Sequence, residues 1–218
     1  ISIVIPVYKP ETIIFKNLLK SIYRQRINQE IEVICVETDD GKLQVDYYRY
    51  PIKSIRINKK EFNHGKSRDI GINESKGNLV VLLTQDAIPA NEYWLYNLIK
   101  NFCDDSIAAV YSRQIIRPQV NIISKYELRN YIGCSCNKRI QFIKDKNDIE
   151  NISNNLDKFS MVHFANVSSC IRKDIWKIFP FGHYKFGEDL FWAKKVLLAG
   201  YKIIYEPDSV VIHSHNYS

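Results

Sequence analysis

The chemistry in this chain is offered by four short segments, and a carboxylate anchors the first. Val80-Val81-Leu82-Leu83 runs apolar straight into Thr84-Gln85-Asp86, ahead of Ala87-Ile88-Pro89. A buried, unpaired charge is costly, so Asp86 must meet a cation or face a cleft. One carboxylate joined by two phosphate oxygens and water suits Mg²⁺ or Mn²⁺. The competing reading is a turn before Pro89, or a cap on the helix near Asn91.

The second segment is Phe62-Asn63-His64-Gly65-Lys66-Ser67-Arg68-Asp69. A glycine and a hydroxyl at a helix start, with Lys66 and Arg68, can hold an anion on backbone N–H groups and positive charge. An ordinary capped helix with exposed basic residues reads equally well. It is not a P-loop, because G-x-x-x-x-G-K-[ST] is absent. The third segment, Phe186-Gly187-Glu188-Asp189-Leu190-Phe191-Trp192, sets two acids at a helix start. They either complement the helix dipole or supply a general base, which typically contributes ~10²–10⁴-fold to a rate. The fourth is Val211-Ile212-His213-Ser214-His215-Asn216-Tyr217. Side chains two apart on a strand point the same way, so both histidines can face one ligand. An imidazole beside Asp86 favours Mn²⁺ over Mg²⁺. The alternative is an exposed chain end.

Strands and helices must bring these segments together. Ile1 to Val7 reads as a buried strand ended by Pro6 and Pro10, and Glu11 to Tyr23 as a helix with Ile14, Leu18 and Ile22 on one face. Glu30 to Val36 is a second strand, followed by the acidic turn Glu37-Thr38-Asp39-Asp40-Gly41, and Ser54 to Ile57 is a third. His64 to Gly77 reads as a helix, Leu79 to Leu83 as a strand, Trp94 to Phe102 as a helix and Ala108 to Tyr111 as a strand. Such alternation predicts an α/β fold, a mainly parallel sheet flanked by helices. Ligands then bind at the carboxyl ends of the strands, here at Pro6-Val7-Tyr8, Glu37-Thr38-Asp39 and Thr84-Gln85-Asp86. Residues 118–160 are polar and Asn/Lys-rich, and are expected to form loops and helices over the site. Regular structure resumes at Met161. Beyond it, short and long helices are expected over Ile175–Phe179 and Leu190–Ala199, then two strands, Lys202–Tyr205 and Val210–His213.

Length and composition set the outer limits. A chain of 218 residues fits one α/β domain and buries a large core unaided. The apolar share of 45% and charged share of 25% are ordinary for a globular protein. No apolar run approaches the roughly 20 residues of a membrane span, and no signal peptide is visible. The chain opens on Ile1 without an initiator Met, as a trimmed chain or excised domain would. The net charge of +7 attracts anionic partners. It is spread in pairs such as Lys59-Lys60, Lys138-Arg139 and Lys194-Lys195, with no nucleic-acid-binding pattern. Of five cysteines, Cys35 and Cys103 sit in apolar runs and read as core. Cys134-Ser135-Cys136 is too tight for the usual zinc pair, so free thiols in a cytosolic compartment are expected.

Taken together, the chain resembles the family 2 glycosyltransferases, and within them the bacterial rhamnosyltransferase-like branch. The residues that carry this are Ile3-Val4-Ile5-Pro6-Val7-Tyr8, Glu61 to Arg68, Leu83-Thr84-Gln85-Asp86-Ala87, Ala109-Val110-Tyr111-Ser112-Arg113-Gln114, Gly187 to Ala193, and His213 to Ser218. The resemblance covers nearly the whole chain. It implies a GT-A fold with a Rossmann-like sheet in a single domain, residues 1–111 binding the nucleotide sugar and residues 112–218 forming the acceptor and catalytic half. It implies an inverting enzyme that moves a sugar, L-rhamnose by the branch name, from a nucleotide-diphosphate donor to a glycan or lipid-linked acceptor in bacterial surface polysaccharide synthesis. A divalent metal, Mn²⁺ or Mg²⁺, is implied as cofactor. A cytoplasmic location follows, with peripheral contact at the anionic inner face of the membrane.

By motif position, Pro6, Tyr8 and Glu37 fall near the base and ribose. Asn63, Gly65, Arg68, Thr84 and Gln85 also fall on the nucleotide sugar. Asp86 matches the last acid of the D-x-D motif and holds the metal, with His213 as a metal or diphosphate contact and His215 beside it. Asp189 matches the catalytic base, with Glu188 orienting the acceptor or the base. Two departures matter. Thr84 replaces the first acid of D-x-D, and Glu37 stands where relatives often carry Asp, leaving Asp39 as its rival. The other readings are a sugar nucleotidyltransferase, which would need a Gly-rich loop where Pro6-Val7-Tyr8-Lys9-Pro10 stands, and a non-catalytic module binding a nucleotide sugar or anionic polymer.

Overall fold

The computed structural model describes residues 1–39, 50–117, 131–145, 147 and 155–213. The strands are β1 (Ser2–Val7), β2 (Glu32–Asp39), β3 (Ile52–Asn58), β4 (Leu79–Leu83), β5 (Ile88–Pro89), β6 (Ile107–Ile115), β7 (Arg139–Gln141), β8 (Ser168–Arg172) and β9 (Lys202–Ile212). The helices are α1 (Thr12–Ile22), α2 (His64–Asn73), α3 (Trp94–Ile99), α4 (Asn155–Val162), α5 (Lys173–Ile178) and α6 (Glu188–Leu198). One sheet runs β3-β2-β1-β4-β8-β6-β9-β5, with β7 also on β9.

The first four strands in that order are parallel, as their alternation with helices predicts. Their side chains alternate between two buried layers. Ile3, Ile5 and Val7 face Phe15, Leu18, Leu19 and Ile22 of α1, while Val4 lies in the other layer with Ile72 of α2. Gly71 permits the second contact: a Cβ there would lie 2.3 Å from Val4 Cγ1.

The far half of the sheet departs from the expected pattern. β8 runs antiparallel between β4 and β6, and nothing in its short Ser-Ser-Cys-Ile-Arg sequence marks a strand. The two strands expected over 202–213 are one 11-residue strand. Its register against β6 slips between Glu206 and Val210, which is what made one strand read as two. The slip places Ser209 in a buried cluster, where its hydroxyl lies 2.8 Å from that of Ser112. The Trp94 indole N–H is shared there between Ser112 and Ser168. The helix expected to reach Gly77 is capped at Glu74, leaving the run into β4 non-helical. Cys103 is exposed rather than core, because α3 ends before it and the chain turns. Cys35 is buried as expected. Part of 118–160 lies outside the described residues. Within the rest, β7 and α4 are regular.

Candidate active site

β5 is two residues long, yet it fixes the first carboxylate. It pairs antiparallel with Val211 and Ile212 at the end of β9. The turn leading from β4 into β5 is therefore pressed against the residue after β9. Asp86 Oδ2 lies 3.4 Å from His213 Nε2. The Ala87 N–H closes the turn on the Thr84 carbonyl at 3.1 Å, and the Arg117 guanidinium donates to the Asp86 carbonyl oxygen. The His213 N–H donates to the Ile115 carbonyl at 2.9 Å. Its ring Nδ1 lies 3.2 Å from Gln114 Oε1. Among the described residues no group of three or more His, Cys, Asp and Glu could hold a metal ion. A carboxylate and an imidazole this close fit a divalent cation whose other positions are filled by phosphate oxygens and water. His215 lies outside the described residues.

The carboxyl ends of β1, β2 and β4 form the adjoining edge. Gln85 bridges two of them, since its Oε1 accepts the Tyr8 N–H at 2.8 Å and its Nε2 donates to the Tyr8 carbonyl at 2.9 Å. The Gln85 amide thus holds the Tyr8 backbone. The Tyr8 ring has the ammonium groups of Lys9 and Lys59 at 5.3 and 5.6 Å from its centroid. Pro6 is half-buried one pleat back. Glu37 pairs in register with Val7 on one side and Arg56 on the other. Its carboxylate is buried, accepts the Ser54 hydroxyl at 2.7 Å, and has Arg56 Nε at 4.0 Å. Asp39 is half-buried at the end of β2. The hydroxyls of Thr38 and Thr84 are buried without a hydrogen-bond partner among the described residues.

The segment around α2 is a capped helix, not an open anion cradle. Asn63 Oδ1 accepts the N–H groups of Gly65 and Lys66, each at 3.1 Å, so these donors are spent. Asn63 Nδ2 donates to the Tyr184 carbonyl. A Cβ on Gly65 would lie 2.2 Å from the Gly182 carbonyl oxygen. Arg68 turns inward and donates to Glu188 Oε1 at 2.9 Å. Asp69 accepts from the Trp176 indole at 2.7 Å, from Phe181 N–H at 3.0 Å and from Gly182 N–H at 2.7 Å. Asn63, Arg68 and Asp69 of this motif therefore grip residues 176–188.

That gripped stretch leads into α6 and presents Asp189. Gly187, at φ 73°, turns the chain into the helix. Asp189 Oδ1 accepts its neighbour's Leu190 N–H at 2.9 Å, and Oδ2 faces the Asn166 N–H at 3.5 Å. Burial, then the adjacent Glu188 charge, pushes the Asp189 carboxyl above its ordinary range; hydrogen bonds and Arg68 only partly offset this. A carboxylate of raised basicity suits proton abstraction. The two acids are linked through backbone, because the Thr84 N–H donates to the Val167 carbonyl beside Asn166.

Asp69, Gln114, Arg117 and Tyr131 have places in this site that the sequence did not single out. Asp69 ended a recognised segment, and Gln114 ended another, so adjacency was the available signal. Tyr131 lies in the polar stretch without periodicity and gave none.

The comparisons with known proteins agree with this architecture. The profile described as "Glycosyl transferase family 2" matches residues 2–169. The chain is 32% identical to the O-antigen chain rhamnosyltransferase RfbN of Salmonella typhimurium, over 100% of this chain and 67% of that protein. It is 30% identical to the O-antigen chain rhamnosyltransferase WbaN of Salmonella anatum, over the same shares. Among solved structures it is similar to the mannosyltransferase PcManGT from Pyrobaculum calidifontis in complex with GDP-Man and Mn²⁺. The TM-score there is 0.65 at 17% identity, over 97% of this chain and 56% of that one. S. aureus TarS 1–349 in complex with UDP-GlcNAc gives 0.65 at 18% identity, over 100% and 59%. The fold is thus GT-A, and the family match with its two curated relatives makes this chain a member of glycosyl transferase family 2.

Proposed function

We propose that this glycosyltransferase inverts the anomeric carbon in a single displacement, using Asp189 as base and Asp86 with His213 to hold a metal–diphosphate. The observation that carries the reading is the 3.4 Å approach of Asp86 to His213, with Asp189 facing the Asn166 N–H just ahead of β8, the strand that pairs with β4. When bound, a divalent cation neutralises charge on the departing diphosphate. Imidazole as a ligand favours Mn²⁺, and a mannosyltransferase of the same fold is known with Mn²⁺. Asp189 takes the proton of the acceptor hydroxyl as its oxygen bonds to the anomeric carbon. The bond to the diphosphate oxygen breaks, and its electron pair leaves with the nucleotide. Glu188, held by Arg68 and only partly neutralised by it, keeps Asp189 basic. Tyr8, Pro6, Glu37 and the Thr38 and Thr84 hydroxyls form the nucleotide side.

Residues 1–111 serve the nucleotide sugar and residues 112–218 the acceptor. The curated relatives support an L-rhamnosyl donor and an O-antigen acceptor, glycan or lipid-linked. Among the described residues no helix is long and apolar enough to cross a membrane. Contact with an anionic membrane from the cytoplasmic side is instead offered by the face beside Asp189. Phe186 is 85% exposed there, next in the chain to Lys185, and Lys194 and Lys195 are exposed on α6. The family match leaves the nucleotidyltransferase and non-catalytic readings without support.

The test is single-turnover transfer with a screened nucleotide-sugar panel and Mn²⁺. Asp189→Asn should lower the chemical step by ~10²–10⁴-fold with donor affinity retained. Asp86→Ala should abolish metal-dependent donor binding. Transfer by Asp189→Asn near the wild-type rate removes the base assignment, and unchanged Mn²⁺-dependent donor affinity in Asp86→Ala removes the metal assignment.

A further inference from the structure

We propose that Gln114 is a positioning residue that fixes the tautomer of His213, so that the Nε2 lone pair is held toward Asp86, and that Tyr131, at the end of a hydrogen-bonded chain running on to His163, Tyr111 and Arg139, supports the Gln114 amide. The inference rests on the reading of Asp86 and His213 as the cation-holding pair.

The link that bears on the tautomer is direct. His213 Nδ1 meets Gln114 Oε1 at 3.2 Å. The Gln114 amide is also near enough to the Tyr131 hydroxyl to oppose, in small part, the rise that burial gives its pKa. Tyr131 Oη lies 2.8 Å from His163 Nε2, and His163 Nδ1 lies 3.3 Å from Tyr111 Oη. Arg139 Nη2 donates to Tyr111 Oη at 3.1 Å. Gln114 and His163 are both buried.

Donor and acceptor rules give this chain a direction. A carbonyl oxygen only accepts, so His213 Nδ1 carries the hydrogen. With its oxygen spent, Gln114 has only its amino end left to turn toward Tyr131. The Tyr131 O–H then donates to His163 Nε2. That makes His163 a neutral ring protonated on Nδ1, which donates to Tyr111. Burial, and secondarily the Arg139 charge, lower the His163 pKa to about 4, so the ring stays neutral through the physiological range. Arg139 itself is anchored, donating to the Ile132 carbonyl at 3.1 Å and lying 4.2 Å from the Tyr205 ring centroid. The far end of the chain is therefore rigid, and its near end is a lone pair on His213 Nε2. A hydrogen bond to the second nitrogen is how proteins orient a metal-binding imidazole.

Tyr131 also feels the charge at the other half of the site. After burial, the charge of Asp189 is the next cause raising the Tyr131 phenol. One hydroxyl thus sits between the support of the cation pair and the carboxylate that acts as base. The loss of Tyr131 should be felt at both ends.

Two measurements test this. Long-range ¹H–¹⁵N correlation spectra of imidazole-labelled protein read the tautomer directly, without metal. His213 should be protonated on Nδ1 in the wild type and shift toward Nε2–H in Gln114→Leu. A wild-type His213 protonated on Nε2 overturns the proposal. Binding of Mn²⁺ alone, followed by the electron paramagnetic resonance of the free ion, reads the consequence. Gln114→Leu should weaken it by ~10–100-fold, while Gln114→Glu, which keeps an acceptor on Nδ1, stays within ~3-fold. Tyr131→Phe should fall between them, and thermal unfolding confirms that each variant is folded. If His213→Ala loses Mn²⁺ and Gln114→Leu does not, the positioning role is wrong and the metal site stands. If neither Asp86→Ala nor His213→Ala changes Mn²⁺ binding, the metal reading falls, and this inference with it.

Discussion

Arg68 donates to Glu188 at 2.9 Å with the two side chains 5% and 8% exposed, so two segments far apart in the chain form one structural unit beneath Asp189. The pair neutralises Glu188 only in part, because the Glu188 charge still raises Asp189. As the proposed base, Asp189 works when deprotonated, so the rate should rise with pH through its pKa. Glu188→Gln removes a neighbouring negative charge, stabilises the Asp189 carboxylate, and should move the acid limb of kcat/KM to lower pH. An unmoved limb would show that Asp189 is not the titrating base. Stability should fall by less than the ~3–5 kcal/mol of deleting a buried partner, since the amide oxygen still accepts from Arg68.

Asp69 is predicted to matter for both stability and rate. Its carboxylate takes three N–H groups from Trp176, Phe181 and Gly182. Asp69→Ala strands these donors at ~1–3 kcal/mol each, for a loss of about 3 kcal/mol or more. Urea denaturation measures that loss. Turnover of the remaining folded protein should drop while Mn²⁺ affinity holds, because residues 176–188 lead to Asp189 and not to Asp86.

Two glycines on one helix should separate packing from positioning. A Cβ on Gly71 meets the Val4 side chain, whereas a Cβ on Gly65 meets the Gly182 backbone. Each alanine should cost ~1–3 kcal/mol through overpacking. Only Gly65→Ala moves the stretch that carries Asp189, so only that variant should lower kcat at a temperature where both are folded. Equal kcat in the two variants would contradict the clamp.

The parallel half of the sheet was legible because β1, β2 and β4 are short apolar runs separated by clear helical periodicity, and their ends marked the site. Motif order singled out Asp86, Asp189 and His213, and the structure sets Asp86 beside His213. The antiparallel half was not. β8 is too short and polar to carry a periodic signal, and the Glu206–Val210 slip disguised the continuity of β9. The second segment reads equally well as an anion site and as a capped helix, and the structure shows the cap. Its actual partners, Gly182, Tyr184 and Glu188, are long-range contacts that local spacing cannot encode.

The face around Phe186 gives a prediction for membranes. The Tyr184 and Phe191 rings stack at 4.6 Å, and Lys195 Nζ lies 5.3 Å from the Tyr184 ring centroid. Each lysine near an anionic surface contributes ~1 kcal/mol, so replacing Lys185, Lys194 and Lys195 together by Ala should cut partitioning onto phosphatidylglycerol vesicles on the order of a hundredfold. Sedimentation with vesicles, at low and high salt, reads this. Equal binding of wild type and variant would place the membrane contact elsewhere.

β9 follows every other strand of the sheet in chain order, yet it lies between β6 and β5 rather than at an edge. His213 reaches Asp86 only once that strand has threaded home. On the proposed reading, opening the pairing of β9 with β5 would part the two ligands while leaving the β1–β4 edge intact, so occupancy of the cation site would report on the docking of β9.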